Sequence, residues 1–187
     1  MSREVLPNET LYVGMDESNH GNRKMRIGEI IVASYSFDAE HWQPTIDNYK
    51  KSHIKTTDLP KHGIGHFYTV LPPEIASKHN NLPYLALFFV QTILDYFQGT
   101  PKVQLGLDGR LTKPEQKKLY SSFSAAQIPM HVKAFPKKRN HVHYGPELIR
   151  ISHTVANRLL RRSRLETAGD KHYVLTPLKT LEELVKL

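Results

Sequence analysis

The chain has 187 residues, 39% hydrophobic and 24% charged, which suits one compact core and argues against wholesale disorder. Its formal net charge of +8 favours anionic partners, of which nucleic acid is the commonest, although many small basic proteins bind none. Cysteine is absent, which excludes a disulfide framework and a thiolate metal site and fits a reducing, cytoplasmic setting.

Residues 1–10 are polar and lack the apolar stretch of a signal peptide. TLYVGMD (10–16) is a β-prone run, apolar on nearly both faces, and reads as a central strand. MRIGEIIVASYSF (25–37) is β-branched and aromatic and reads as its antiparallel neighbour. WQPTIDNYKKSH (42–53) is a candidate helix, and IGHFYTV (64–70) a third strand that carries His66. PYLALFFVQTILDYF (83–97) reads as a buried helix, with Pro83 in its first turn. Its most apolar part, 82–94, is too short to span a bilayer.

KVQLGLDG (102–109) is the next strand. TKPEQKKLYSSFSAAQ (112–127) is a helix, with Thr112 as N-cap and Glu115 at the capping-box position. PMHVKAF (129–135) alternates as a strand does, and PKKRNHVHYG (136–145) reads as a basic loop. PELIRISHTVANRLLRRSR (146–164) is the strongest amphipathic helix, with Leu148, Ile151, Val155 and Leu159 on one stripe. A short strand (172–176) and helix (178–186) close the chain. The expected architecture is α/β: a mixed sheet, antiparallel in its first strands and then parallel through βα units, with helices on its faces. We expect a single domain over 1–187, with a core near 10–162 and an extension at 163–187.

Two phrases match. LYVGMD (11–16) and VQLGLD (103–108) each run apolar, then Gly, then one apolar residue, then Asp. Side chains alternate along a strand, so Gly14 and Asp16 share a face, as do Gly106 and Asp108. If the strands are neighbours, both carboxylates emerge at one sheet end, over ground kept low by the glycines. Such a pair suits a cation between the acids, and Mg²⁺ or Mn²⁺ takes a few carboxylates while keeping places for water and phosphate. The bland alternative is that each Asp only begins a turn. Glu17 points to the other face unless the chain turns at Asp16.

On these residues the chain resembles the ribonuclease H-like superfamily: VGMDESNHGN (13–22), QLGLDG (104–109) and ISHTVANRLLRR (151–162) stand in its order on its strand–helix frame. Type 2 ribonucleases H open with a strand ending Gly-(Ile/Val)-Asp-Glu. An uncharacterised prokaryotic family of the same fold opens with Asp-Glu-Ser and is nearer to Asp16-Glu17-Ser18. The resemblance implies a two-metal nuclease, with Asp16, Glu17 and Asp108 as metal-binding and catalytic groups and products bearing 5′-phosphate and 3′-hydroxyl ends. In the superfamily a late helix usually supplies a further acid, often as Asp-x-x-Ala. Here that stretch is His153-Thr154-Val155-Ala156, so His153 stands in the acid's place, as it does in some nuclease relatives; it is a ligand or else a helix-boundary histidine. Type 2 enzymes draw an acid from just before this helix, where this chain has His141 and His143.

Lys137, Lys138, Arg139, Arg150 and Arg158 concentrate the basic charge. They would hold nucleic-acid phosphates beside the acids, or simply form a solvated face. Tyr144 would stack on a base or cap the core. No histidine pair has zinc spacing, and no P-loop or dinucleotide pattern occurs. Three functions follow: a metal-dependent nuclease with Mg²⁺ or Mn²⁺, a ribonuclease H-like module that binds nucleic acid without cleaving it, or an interaction protein unrelated to nucleic acid. RNA, DNA and hybrid substrates are not separated by these residues, nor is oligomeric state indicated.

Overall fold

The computed structural model describes residues 8–18, 29–47, 52–71, 82–97, 101–135 and 143–165. The strands are β1 (Thr10–Ser18), β2 (Glu29–Ser36), β3 (Pro44–Asp47), β4 (Gly65–Leu71), β5 (Lys102–Asp108), β6 (Met130–Phe135) and β7 (His143–Pro146). The helices are α1 (Leu82–Phe97), α2 (Lys113–Ala125) and α3 (Glu147–Leu165).

Five strands form one mixed sheet in the order β4-β2-β1-β5-β6. β2 pairs antiparallel with β1 and β4; β5 runs parallel to both β1 and β6. β1 is therefore central, as a strand apolar on both faces must be. Its odd-numbered Leu11, Val13 and Met15 join Phe89, Val90 and Ile93 of α1 and Leu119 and Phe123 of α2 in one core cluster. The second cluster sits on the opposite face, where Ile30 and Val32 of β2 meet Leu148, Ile151, Val155 and Ala156 of α3. Each fully buried Leu, Ile or Phe contributes about 1.5–3 kcal/mol by leaving water. Both faces of the sheet are thus covered by helices, with α3 alone among the described helices on its side.

The expected start of α2 is present in full. Thr112 Oγ1 accepts the Glu115 N–H at 3.4 Å, and Glu115 Oε2 accepts the Thr112 N–H at 2.7 Å. The expected helix over 42–53 is not. A 3₁₀ turn at Ala39–Trp42 leads into β3, and Ser52 onward is irregular. β3 pairs with β7, Thr45 opposite Gly145 and Ile46 opposite Tyr144. Pro44 is tolerated because it opens a short strand with no described neighbour on its other side. The pairing partner lies a hundred residues away, so local periodicity could not reveal it. The same pairing corrects the basic loop at its C-terminal end, where His143–Pro146 is a strand. The segments 136–142 and 166–187, with the last predicted strand and helix, lie outside the described residues.

α3 seats on β1 at Gly14. A Cβ built there would lie 2.6 Å from Ile149 N and 2.6 Å from Leu148 C. Both are backbone atoms, so no rotamer change relieves the clash. Ser152, one turn on, ties the helix down: its hydroxyl donates to Gly14 O at 2.7 Å and accepts the Ser34 N–H at 3.0 Å. At Gly106 the contact is softer, with the Trp42 ring edge at 3.0 Å and Ile149 Cδ1 at 3.2 Å from a built Cβ.

This difference predicts an order of stability. Gly14→Ala should destabilise the protein at or above the upper end of the about 1–3 kcal/mol typical of overpacking, and Gly106→Ala by clearly less. Urea denaturation of the two variants measures it; equal losses would remove Gly14 as the seat of α3.

Candidate functional site

The central carboxylate is Asp16, 2% exposed. A buried charge needs partners, and both its oxygens have them. Oδ1 accepts the Glu17 N–H at 2.8 Å, and Oδ2 lies 2.6 Å from His153 Nδ1. The strand supplies the acid and α3 supplies the histidine. From the Gly14 contact at Leu148–Ile149 to His153 the helix rises about 7 Å. From Gly14 to Asp16 the strand advances about 7 Å. Helix and strand keep step, so a helix seated at Gly14 delivers His153 to Asp16.

The ring's proton can be assigned. Asn157 Nδ2 lies 2.9 Å from His153 O and 2.8 Å from His153 Nε2. A backbone oxygen only accepts, so the amide nitrogen is the atom placed there, and the same NH₂ faces Nε2. Nε2 is therefore the acceptor, and Nδ1 carries the proton it donates to Asp16. The result is a polar relay, Asn157 to His153 to Asp16. The short Nδ1–Oδ2 distance fits a hydrogen bond to a charged acceptor. His153 is partly exposed, its side chain at 20%, while the Asp16 side chain is at 3%.

Asp108 ends β5. The matched register of β1 and β5 runs from Thr10 and Lys102 through Gly14 and Gly106 to Met15 and Leu107. Asp16 and Asp108 each stand one residue further on, at the same sheet end and on the α3 face. The two acids of the repeated phrase thus come to neighbouring strands in phase. Gly109 follows with φ +117°, and its N–H donates to Phe135 O at 3.2 Å, which turns the chain away after Asp108.

Three expectations change. The glycines do not keep open ground: α3 fills the space over Gly14, and Trp42 with Ile149 fills that over Gly106. Glu17 does not swing round to Asp16, because pairing continues through Glu17 opposite Ile31 and Ser18 opposite Ile30. Ile31 belongs to the cluster under α1, so alternation sends Glu17 to that face. Arg150 is not a surface cation but is 5% exposed. Its Nε donates to Glu147 Oε2 at 2.7 Å and its Nη2 to Thr45 Oγ1. The first turns of α3 lie between the sheet and the β3–β7 pair, so their polar face is enclosed as well as their apolar one.

Arg158 remains exposed on α3 and donates to Thr56 Oγ1. His66 is exposed on β4, opposite Ser34. Lys137, Lys138, Arg139 and His141 lie outside the described residues, and His143 opens β7. Among the described residues no three His, Asp or Glu side chains converge in a group able to hold a metal ion. No described helix is long and apolar enough to cross a membrane.

Asn157 was legible in principle. His-x-x-x-Asn places the two side chains one turn apart on one helix face, but an amide carries no signal until its neighbour is known to matter.

The relay predicts the Nδ1–H tautomer for His153. Long-range ¹⁵N–¹H spectra should show that form in the wild type and, because Asp16 still accepts from Nδ1, in Asn157→Ala as well. A wild-type ring protonated at Nε2 alone would dismantle the relay. No protein-family model matches the chain, and no curated protein matches it.

Proposed function

We propose that the chain is a ribonuclease H-like nuclease that hydrolyses phosphodiester bonds of nucleic acid with Mg²⁺ or Mn²⁺. One observation carries the reading: Asp16 and Asp108 stand on adjacent parallel strands, each one residue past the last β1–β5 pair, at the same level and on the same face. The mixed sheet, antiparallel and then parallel with helices on both faces, agrees with the frame that the resemblance implies.

The residues fit a hard divalent ion in a restricted sense. Such an ion draws one or two protein carboxylates and completes its shell with water and phosphate oxygens, so two acids suffice without a three-residue cage. Asp16 and Asp108 would hold it. When bound, it would supply an activated water and charge neutralisation at the phosphate.

The chain's own groups do the rest. His153 donates to Asp16 and fixes the direction of its carboxylate, while Asn157 fixes the ring. His153 thereby acts as a positioning residue behind an acid, a supporting contact of the kind on which metal-binding carboxylates depend. Glu17 has no part in holding the ion on this reading, since it belongs to the other face.

One observation favours a second reading, a nucleic-acid-binding module without catalysis. Both Asp16 oxygens and both His153 nitrogens already have partners within the protein. That module would bind nucleic acid in a salt-sensitive way and cleave none.

The two readings separate in a cleavage assay on labelled RNA, DNA and hybrid with Mn²⁺. Asp16→Asn and Asp108→Asn should each abolish cleavage, as should excess EDTA, with Asp16→Asn also lowering the melting temperature because an amide accepts at only one of the two positions where Asp16 does. His153→Ala should lower the rate about 10–100-fold, the usual cost of losing a supporting contact. Cleavage that persists in EDTA or in Asp108→Asn would end the nuclease proposal.

A further inference from the structure

A cleft of about 670 Å³ opens beside the relay, in the range that ligand sites take. One wall is α3, with His153, Thr154, Asn157 and Arg158; the other is the irregular segment 52–57. That segment is clamped to the helix. Ser52 N–H donates to Thr154 Oγ1 at 3.0 Å, Ser52 Oγ donates to Glu147 Oε1 at 2.5 Å, and Arg158 donates to Thr56 Oγ1. The wall is therefore preformed.

Its chemistry is one-sided. Lys55 and Arg158 are permanent cations, and both are exposed. Ser52, Thr56, Thr57 and Thr154 bring hydroxyls, and His53, His153 and Asn157 add nitrogen groups. Among the described residues no carboxylate lines the cleft. Two acids stand behind the lining and both are already partnered: Glu147 behind Ser52, whose other oxygen accepts from Arg150 at 2.7 Å, and Asp16 behind His153, at 2.6 Å from its Nδ1. Two cations beside the Thr56 and Thr57 hydroxyls, with no acid in the described lining, select a ligand made of acceptor oxygens with negative charge. Among the described residues no Phe, Tyr or Trp lines it either, so it lacks the large aromatic platforms that usually stack bases.

We propose that this cleft is a phosphodiester subsite that holds the backbone of a single nucleic-acid strand, independent of base sequence, and leads it past His153 toward Asp16. The direction toward Asp16 rests on the nuclease reading; the binding itself does not. A volume of about 670 Å³ suits one or two nucleotides of a single strand. Lys55 and Arg158 take the phosphate charge, and the Thr56 and Thr57 hydroxyls donate to its oxygens, the Thr154 hydroxyl being spent on Arg150 O.

The test is fluorescence anisotropy of the full chain with labelled oligodeoxythymidylate and oligodeoxyadenylate, in EDTA, over a salt series. Each phosphate contact on a single strand contributes a slope of about 0.7 in log K against log salt. Lys55→Ala and Arg158→Ala should each weaken binding about four-fold at about 0.15 M salt, and about fifteen-fold together, equally for both oligonucleotides. Lys55 is exposed and lies outside the clamp, so its variant reports charge alone if Arg158→Ala unseats the segment. Wild-type affinity and slope in both variants would overturn the subsite. So would a base preference that these variants lose, because it would require base contacts. Loss of adenosine monophosphate binding with unchanged oligonucleotide binding would assign the cleft to a free phosphate ester and overturn the strand. A chain that cleaves nothing with Mn²⁺ but loses affinity in these variants keeps the subsite and loses the nuclease; unchanged binding in a chain that cleaves does the reverse.

Discussion

The seating of α3 on Gly14 is the constraint on which the rest depends. A helix normally stands off a sheet by the length of its side chains. Here the strand offers none, and helix backbone meets strand backbone through Leu148 and Ile149. Ser152 holds that approach with hydrogen bonds to two strands, and it is itself fully buried. Because helix rise and strand advance match over the next few residues, the same approach sets His153 against Asp16. Packing and site chemistry are one arrangement here: what lowers the helix also partners the buried acid.

The electrostatics of the face follow from that closeness. Asp16 lies almost out of water, where a carboxylate without partners would be costly. The Glu17 N–H, His153 and, through His153, Asn157 make it tolerable. The relay ends at the cleft, which no described acid lines, so negative charge is concentrated at the sheet end and positive charge at Arg158 of the helix and Lys55 of segment 52–57. A phosphate-bearing strand would meet cations first and carboxylates second. On the proposed reading that ordering would draw the polymer in, and repulsion between its phosphates and the acids would be left for a bound cation to offset.

Much of this was legible in the chain. The Gly-x-Asp repeats fixed which residues share a face. The apolar run of β1 marked it as central, and the capping box of α2 could be read residue by residue. These are local properties: alternation, periodicity and caps depend on neighbours a few positions away, and the same sterics act in any context. The stripe of Leu148, Ile151 and Val155 likewise named the buried face of α3 from spacing alone.

Tertiary contact decided the rest. β3 exists because β7 pairs with it, so residues with the look of a helix became a strand. Arg150 is buried because that pair encloses the helix's polar side, and a charge pattern alone would leave it in water. Glu17 went to the far face because β2 extends the pairing past Asp16. The glycines became a seat for α3 and Trp42 instead of open ground, since a missing side chain marks a space without saying what fills it. Asn157 and Lys55 gained meaning only once a histidine and a segment from elsewhere in the chain came beside them. Sequence dictated what each strand and helix presents; which of those surfaces meet depended on long-range packing, whose partners lie beyond the reach of any local pattern.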